Sequence, residues 1–254
     1  MRYQGGKVKA SRYYAPMFNE FIRRHGFVNY VEPFCGSLAV AEKIKCENII
    51  CNDANDYLIT LYKALQKGWQ PPIHINRKDY YKIRSNQKSF DPELVAFAAL
   101  CGFGGCWFGT YATGGERARL KILLKGRQGE DCSNEVFKSL IRLQLIIANW
   151  QFYNLSYDRV KTPSKSLIYC DPPYENTFGY KAVEGNFNSI LFWNWVRSSI
   201  KPDNLFIVSE YQAPEDFVSI HSFRSNQINN GVEHGGLKKC DKLFIHKSQL
   251  NLIK

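Results

Sequence analysis

A short apolar run that two adjacent prolines stop constrains this chain more than any other feature of its sequence. Residues 166–170 have the composition of a buried strand, and the loop Asp171-Pro172-Pro173-Tyr174 follows directly. Proline lacks the amide hydrogen that a sheet ladder needs, so the strand ends there. The sequence therefore predicts a rigid loop at the carboxyl end of a strand, where open α/β sheets bind their ligands.

The chemical groups of this loop suit an amino group on a planar base. Asp171 supplies a carboxylate acceptor, the prolines supply carbonyl acceptors, and Tyr174 supplies an aromatic face. An exocyclic amine needs acceptors for its hydrogens, and its ring needs a surface on which to stack. An ordinary turn uses the same residue types, so the loop alone leaves both interpretations open.

The segments around this loop predict an α/β fold. A strand–helix–strand unit is predicted at 27–32, 37–46 and 48–51, after a helix from about Pro16 to His25. The later elements are a helix near 189–200, a strand at 205–208, and an antiparallel pair at 219–223 and 242–247. Strands that alternate with helices in this way are typical of a mostly parallel, doubly wound sheet.

The region 58–150 breaks the strand rhythm and predicts an insertion domain. Helical patterns at 57–67 and 135–149 enclose a middle part that is rich in glycine and aromatic residues. The candidates for contacts with DNA are the basic residues of this middle part, Arg117, Arg119, Lys121, Lys125 and Arg127. Cations hold phosphates and aromatic rings replace lost base stacking, although a solvated charged face is the alternative.

The composition favours a nucleic-acid partner. The net charge is +11, which attracts polyanions, and no stretch approaches the length of a membrane span or a signal-peptide core. The eight cysteines include no CxxC pair and the five histidines show no ligand spacing, so we expect reduced thiols and no metal. These features predict a cytoplasmic protein, in a bacterium or a phage-infected host.

The first half of the chain predicts a pocket for a nucleoside cofactor. The loop 32–37 follows a strand and holds one glycine, Gly36, rather than the GxGxxG that grips a pyrophosphate. Asp53 ends the next strand, where an acidic residue accepts ribose hydroxyls. S-adenosylmethionine fits this pattern, because it has a ribose and an adenine but no phosphate.

The chain resembles the Dam-like adenine-specific DNA methyltransferases over almost its whole length. The motifs that carry the resemblance come in the family's order: Tyr3-Gln4-Gly5-Gly6-Lys7, Val31-Glu32-Pro33-Phe34-Cys35-Gly36-Ser37, Asn52-Asp53, Tyr169-Cys170-Asp171-Pro172-Pro173-Tyr174 and Lys238-Lys239-Cys240-Asp241-Lys242-Leu243. The stretch 103–111 is more similar to phage and prophage members than to the enzymes that read GATC.

The resemblance implies a role for each matched residue. The cofactor-binding set would be Tyr3, Gly6, Lys7, Glu32, Phe34, Gly36, Asp53 and Asp171, and the catalytic set would be Asp171, Pro172, Pro173 and Tyr174. Asp171 and the Pro172 carbonyl would accept hydrogen bonds from the adenine amine, and Tyr174 would stack on the flipped base.

The resemblance also implies an architecture and partners. We expect a Rossmann-like methyltransferase sheet of seven strands with an antiparallel edge strand. Residues 1–57 and 151–254 would form the S-adenosylmethionine-binding catalytic domain, and residues 58–150 would form a mainly helical target-recognition insertion. The expected partner is double-stranded DNA, and the expected state is a monomer.

Two other functions stay open at this stage. The first is an amino methyltransferase that acts on cytosine in DNA, adenine in RNA or a protein glutamine. The second is a DNA-binding relative that has lost its activity, although an intact Lys7, Asp53 and Asp171 speak against it.

Overall fold

The computed structural model describes residues 7–71, 132–174, 187–223 and 240–253. The helices of this part are α1 (Ser11–His25), α2 (Asp56–Gln66), α3 (Cys132–Ile146) and α4 (Ser189–Ser199). The strands are β1 (Asn29–Glu32), β2 (Asn48–Asn52), β3 (Gln151–Tyr153), β4 (Ser166–Cys170), β5 (Asn204–Glu210), β6 (Phe217–Phe223) and β7 (Asp241–His246). Short 3-10 helices lie at Ala41–Lys43, Tyr157–Arg159 and Lys247–Leu252.

The seven strands form one sheet in the order β3-β2-β1-β4-β5-β7-β6. The pairs from β3 to β5 are all parallel, and β7 runs antiparallel to both of its neighbours, β5 and β6. This confirms the predicted seven-stranded, mostly parallel sheet, but the prediction that the antiparallel strand forms its edge is wrong. The reversed strand lies one place in from the edge, because β6 pairs along its outer side.

The central strands are buried because helices cover both faces of the sheet. Every residue of β4 and β5 is buried, as parallel strands in the middle of an α/β sheet require. Alternate residues of β4 belong to different cores: Leu167 and Tyr169 pack with α1, α2 and α3, whereas Ile168 and Cys170 pack with α4. The fold is therefore a three-layer α/β/α arrangement.

Helix α1 buries one face against the sheet and ends at a glycine. Tyr14, Phe18 and Ile22 recur at four-residue spacing and are buried. Gly26 ends the helix with φ 62°, and its backbone N–H donates to the carbonyl of Ile22. The predicted start near Pro16 is wrong: the helix begins at Ser11 and carries Pro16 inside it.

The predicted helix at 37–46 is also wrong. The structure has turns followed by the 3-10 helix Ala41–Lys43 in this segment. Leu38 adopts φ 62°, which a right-handed helix does not allow, and Leu38 is fully buried in the core. The apolar spacing that suggested a helix therefore comes from side chains of an irregular loop that fill the core.

Helices α2 and α3 join the same core as the sheet. Leu58, Leu61 and Leu65 of α2 pack with Leu140 and Leu143 of α3 in the cluster that contains the inner face of the sheet. The two helical patterns at 57–67 and 135–149 are thus confirmed as helices, while the domain boundaries at 57 and 150 stay a prediction. Within the described ranges, no helix is long and apolar enough to cross a membrane.

Candidate active site

Acidic side chains gather at the carboxyl edge of the sheet, which is the edge formed by the carboxyl ends of the parallel strands. Glu32 ends β1, Asp53 follows β2, Asp171 follows β4 and Glu210 ends β5. Strand β7 runs the other way, so its first residue, Asp241, lies at this same edge. The register agrees, since Glu210 at the end of β5 pairs with Lys242 at the start of β7.

The loop after β1 is tied to Asp53 by backbone hydrogen bonds. The N–H of Gly36 donates to Asp53 Oδ2 at 2.8 Å, and the N–H of Asn55 donates to Oδ1 at 2.9 Å. Each carboxylate oxygen keeps a second lone pair for another donor. Burial raises the pKa of Asp53, and these two N–H groups act in the opposite direction. Asp53 is thus fixed in orientation and still able to accept further hydrogen bonds.

Gly36 adopts a conformation that favours glycine. Its φ is 43°, and its carbonyl accepts a 2.6 Å hydrogen bond from the Tyr62 hydroxyl of α2. The N–H of Gly36 is therefore held by Asp53, and its carbonyl is held by Tyr62.

Asn52 holds the two loops of this half-site together. Its side-chain amide donates to the carbonyls of Pro33 at 2.9 Å and Leu155 at 3.0 Å, and its Oδ1 accepts from the N–H of Leu155. Asn52 is buried, so these bonds also satisfy its polar atoms away from water. Sequence reasoning named Asn52 beside Asp53 but gave it no role.

Glu32 and Phe34, both just before Gly36, have different surroundings. Glu32 is buried, and burial raises its pKa well above the usual range, although the Tyr30 hydroxyl donates to its Oε2 at 3.0 Å. Phe34 is partly buried and stacks on Tyr157, with ring centroids 5.4 Å apart. Glu32 is thus held inside the loop, whereas Phe34 presents part of an aromatic surface.

A second cluster is built around the ammonium group of Lys7. Lys7 Nζ lies 3.0 Å from Asp171 Oδ1 and 3.2 Å from Asp241 Oδ2. It also donates to the Tyr174 hydroxyl at 2.6 Å, and that hydroxyl lies 2.6 Å from Ser209 Oγ. Five residues therefore meet at one point. They come from four parts of the chain: the amino-terminal segment, the loop after β4, strand β5 and strand β7.

The charges of this cluster perturb one another. Burial raises the pKa of Asp171 to about 6, with Lys7 pulling it down and Asp241 pushing it up. Burial alone would lower the pKa of Lys7, but the two carboxylates outweigh it and raise that pKa. Lys7 is therefore protonated at neutral pH, and Asp171 is poised to gain or lose a proton near neutrality.

The aromatic part of the loop faces a second tyrosine. The Tyr174 ring meets Tyr211 edge to face, with centroids 4.6 Å apart and an interplanar angle of 82°. Tyr211 directly follows β5, so it also lies at the carboxyl edge of the sheet. Pro172 is buried and Pro173 is half-buried, which fits a rigid connection between Asp171 and Tyr174.

The structure brings together most of the residues that the sequence singled out. Lys7, Glu32, Phe34, Gly36, Asp53, Asp171, Pro172, Pro173 and Tyr174 all lie on or beside this edge. The other predicted residues, Tyr3, Gly6, Arg117, Arg119, Lys121, Lys125 and Arg127, lie outside the described residues.

Sequence reasoning missed Asp241 and Ser209 as members of the Lys7 cluster. Asp241 stands in the carboxy-terminal motif already noted, but only the reversed direction of β7 shows that it reaches this edge. Ser209 is one of seven buried residues in β5 and carries no motif of its own. Across the described ranges, no three His, Cys, Asp or Glu side chains are grouped to hold a metal ion.

The sheet order and the two acidic loops define an α/β protein whose candidate site lies at the carboxyl ends of the parallel strands. Residues 3–99 match the model of the D12 class N6 adenine-specific DNA methyltransferases. Over these residues the match agrees with the predicted family, whose methyl donor is S-adenosylmethionine. The phage or prophage character rests on residues 103–111, which lie outside both the match and the described residues.

Solved structures with a related shape include two of the rRNA methyltransferase aviRa from Streptomyces viridochromogenes, at 2.4 Å and 1.5 Å. Each is 11% identical to this chain with a TM-score of 0.42. The alignments cover 94% of this chain and 84% of the first structure, and 96% and 86% for the second. No curated protein sequence matches this chain.

Proposed function

We propose that this protein transfers a methyl group from S-adenosylmethionine to the 6-amino group of an adenine that is flipped out of double-stranded DNA. The observation that carries the proposal is the Lys7–Asp171 ion pair with Tyr174 beside it, at the sheet edge that also holds the Asp53 loop. The family match and the net charge of +11 support DNA as the substrate.

The first half-site suits the nucleoside part of the cofactor. Asp53 keeps acceptor lone pairs for ribose hydroxyls, and the Gly36 backbone allows close approach. Phe34 and Tyr157 offer an aromatic surface for the adenine ring of the cofactor. Tyr3 and Gly6 belong to the same proposed cofactor set. When bound, S-adenosylmethionine supplies an activated methyl group on a positively charged sulfur.

The second half-site suits the target amine. Asp171 accepts a hydrogen bond from the 6-amino group, and the Pro172 carbonyl is the second acceptor. Two acceptors draw the nitrogen toward a tetrahedral geometry and free its lone pair for attack. Tyr174 stacks on the extruded ring, which helps to offset the few kcal/mol that base extrusion costs. The protein thus contributes mainly positioning and electrostatics.

The DNA duplex would contact the region between the described ranges. Arg117, Arg119, Lys121, Lys125 and Arg127 are the proposed phosphate contacts, within the proposed recognition insertion 58–150. Each such contact releases a counterion, so binding should weaken steeply as salt is added. We place this activity in the cytoplasm, with the protein acting as a monomer.

The test is methyl transfer with radiolabelled cofactor, followed by nucleoside analysis. We expect label on N6-methyladenine from duplex DNA, and Asp171→Ala should reduce it to background because the amine loses its charged acceptor. Asp203→Ala is a control, since this acid lies on the loop before β5 and contacts only the Lys165 backbone among the described residues.

The other functions give different outcomes in the same experiment. Label on cytosine, on RNA adenine or on a protein glutamine would replace the proposal with another amino methyltransferase. No label on any substrate, together with no heat of cofactor binding in calorimetry, would indicate a DNA-binding relative without activity.

A further inference from the structure

Asp241 reaches the active edge only because its strand is reversed. It is the first residue of β7, and β7 is antiparallel to β5, so the start of β7 lies beside the end of β5. Only 8% of Asp241 is exposed to solvent. A buried carboxylate needs a charged partner to stay ionised, and Lys7 Nζ lies 3.2 Å away.

Lys7 is therefore shared by two carboxylates. With Asp171 at 3.0 Å and Asp241 at 3.2 Å, the three charges sum to one net negative charge when both acids are ionised. If Lys7 paired with Asp171 alone, its full positive charge would lower the pKa of Asp171 and make it a weak proton acceptor. A second carboxylate on the same ammonium competes for Lys7 and keeps Asp171 more basic.

We propose that Asp241 is a positioning residue of the active centre, which holds Lys7 between the two acids and leaves the cluster one negative charge with which to take up the proton released by the amine. This inference rests on the proposed methyl transfer. It assigns to Asp241 a role that the Asp171 loop alone does not fulfil.

The proton balance of the reaction explains why such a charge is useful. The amino nitrogen forms a bond to the methyl carbon with its lone pair, and the carbon–sulfur bond breaks with its electron pair left on sulfur. The nitrogen then loses one hydrogen as a proton, which the Asp171 carboxylate accepts. The cluster changes from one negative charge to neutral as the positive charge on sulfur disappears, so the two charges are lost together and the sum stays unchanged.

Among the described groups around Asp171, Lys7 is the cation that lowers its pKa. The described titratable groups that face Asp171 are Lys7, Tyr14 on α1, Glu32 on β1, Tyr169 and Cys170 on β4, Tyr174 after β4, Tyr211 after β5, and Asp241 on β7. Among these described groups, Lys7 alone carries positive charge. Removing the charge of Asp241 should therefore strengthen the hold of Lys7 on Asp171.

The test compares Asp241→Asn with the unaltered protein across pH. Asparagine keeps an oxygen acceptor for Lys7 but loses the charge. The unaltered protein should lose single-turnover activity as pH falls below about 6, because protonated Asp171 cannot accept the amine proton. This loss forms the acid limb of the pH–rate profile. In Asp241→Asn the acid limb should move to lower pH by about one unit or less. Lys7→Gln should move the limb upward, because Asp171 then loses its cation.

Two further variants separate charge from position. Asp241→Ala removes the acceptor oxygen as well, so its rate on the high-pH plateau should fall roughly tenfold below that of Asp241→Asn, as expected for a misplaced ammonium. Asp216→Asn is the matched control: Asp216 pairs with Arg197 away from this edge, and its variant should keep the original acid limb.

A measurement without turnover keeps the inference separate from the proposed function. The Asp171 carboxyl carbon can be titrated by NMR in ¹³C-labelled protein, with Asp171→Asn to assign the signal. A lower Asp171 pKa in Asp241→Asn supports the inference even if no DNA is methylated. An unchanged or higher Asp171 pKa, or an Asp241→Asn protein that only melts earlier with an unmoved acid limb, would overturn it.

Discussion

The two halves of the candidate active site are held by different kinds of contact. In the Asp53 half, backbone N–H groups and carbonyls of residues 33–62 supply most of the partners. In the Lys7 half, the partners are side chains only, and they come from four separate places in the chain. The first half is a local structure, and the second is an assembly that depends on the whole sheet.

This difference suggests a division of labour. Backbone contacts hold a fixed shape, which suits a cofactor that every reaction cycle uses in the same way. Side-chain ion pairs respond to charge, which suits a place where a charge disappears and a proton is released. We therefore expect substitutions in the Asp53 half to weaken cofactor binding and folding, and substitutions in the Lys7 half to slow methyl transfer.

The largest effect on the first half is expected from Asp53→Ala. Two N–H groups, of Gly36 and Asn55, lose a charged acceptor, which should lower the free energy of unfolding by about 2 to 3 kcal/mol. Cofactor affinity should fall roughly 100-fold, because the same change removes the acceptor for ribose. Denaturant unfolding and calorimetry with the cofactor measure the two effects.

Asp56→Ala is the control for this change. Asp56 begins α2 three residues further on, is exposed, and accepts only from the N–H of Tyr57 in the described contacts. Its loss should cost about 1 kcal/mol and leave cofactor affinity unchanged. If both variants bind the cofactor equally well, Asp53 is not part of the cofactor site.

The same difference decides what the sequence could predict. Strand β4 was predicted residue for residue, and the Gly36 and Asp53 loops were placed at the ends of their strands, because apolar runs and turn residues are local signals. The helix predicted after Gly36 was wrong, because Leu38 at φ 62° fills the core from a loop and its position mimics a helical pattern. The place of Asp241 was missed for another reason: it depends on β7, rather than β6, pairing with β5, and no local pattern encodes that choice.

A smaller effect, on rate, is expected from Tyr174→Phe. The ring stays, but the hydroxyl that links Lys7 to Ser209 through two contacts of 2.6 Å is lost. The single-turnover rate should fall roughly tenfold, corresponding to about 1.4 kcal/mol, with DNA affinity unchanged. Tyr174→Ala should also weaken binding of the flipped base, by about 1 to 3 kcal/mol, because stacking is lost.

Tyr153→Phe is a suitable control, because Tyr153 is exposed and its hydroxyl donates to Gln151 Oε1 on the outermost strand, β3. It should keep both the rate and the DNA affinity. Equal rates for Tyr174→Phe and Tyr153→Phe would mean that the hydroxyl network has no part in the reaction, and the contrast between the two halves would then rest on Asp171 alone.

The smallest expected effect tests whether the backbone of the first half needs its support from α2. Tyr62→Phe removes the 2.6 Å hydrogen bond to the Gly36 carbonyl and leaves the buried ring in place. The loss of about 1 kcal/mol should lower the melting temperature by about 2 to 4 °C. Cofactor affinity should fall by a factor of about five or less, while the rate at saturating cofactor stays unchanged, because the Lys7 cluster is untouched.

A variant that binds the cofactor normally but turns over slowly would show that the two halves are coupled through the Gly36 loop, and the proposed division between binding and chemistry would have to be abandoned.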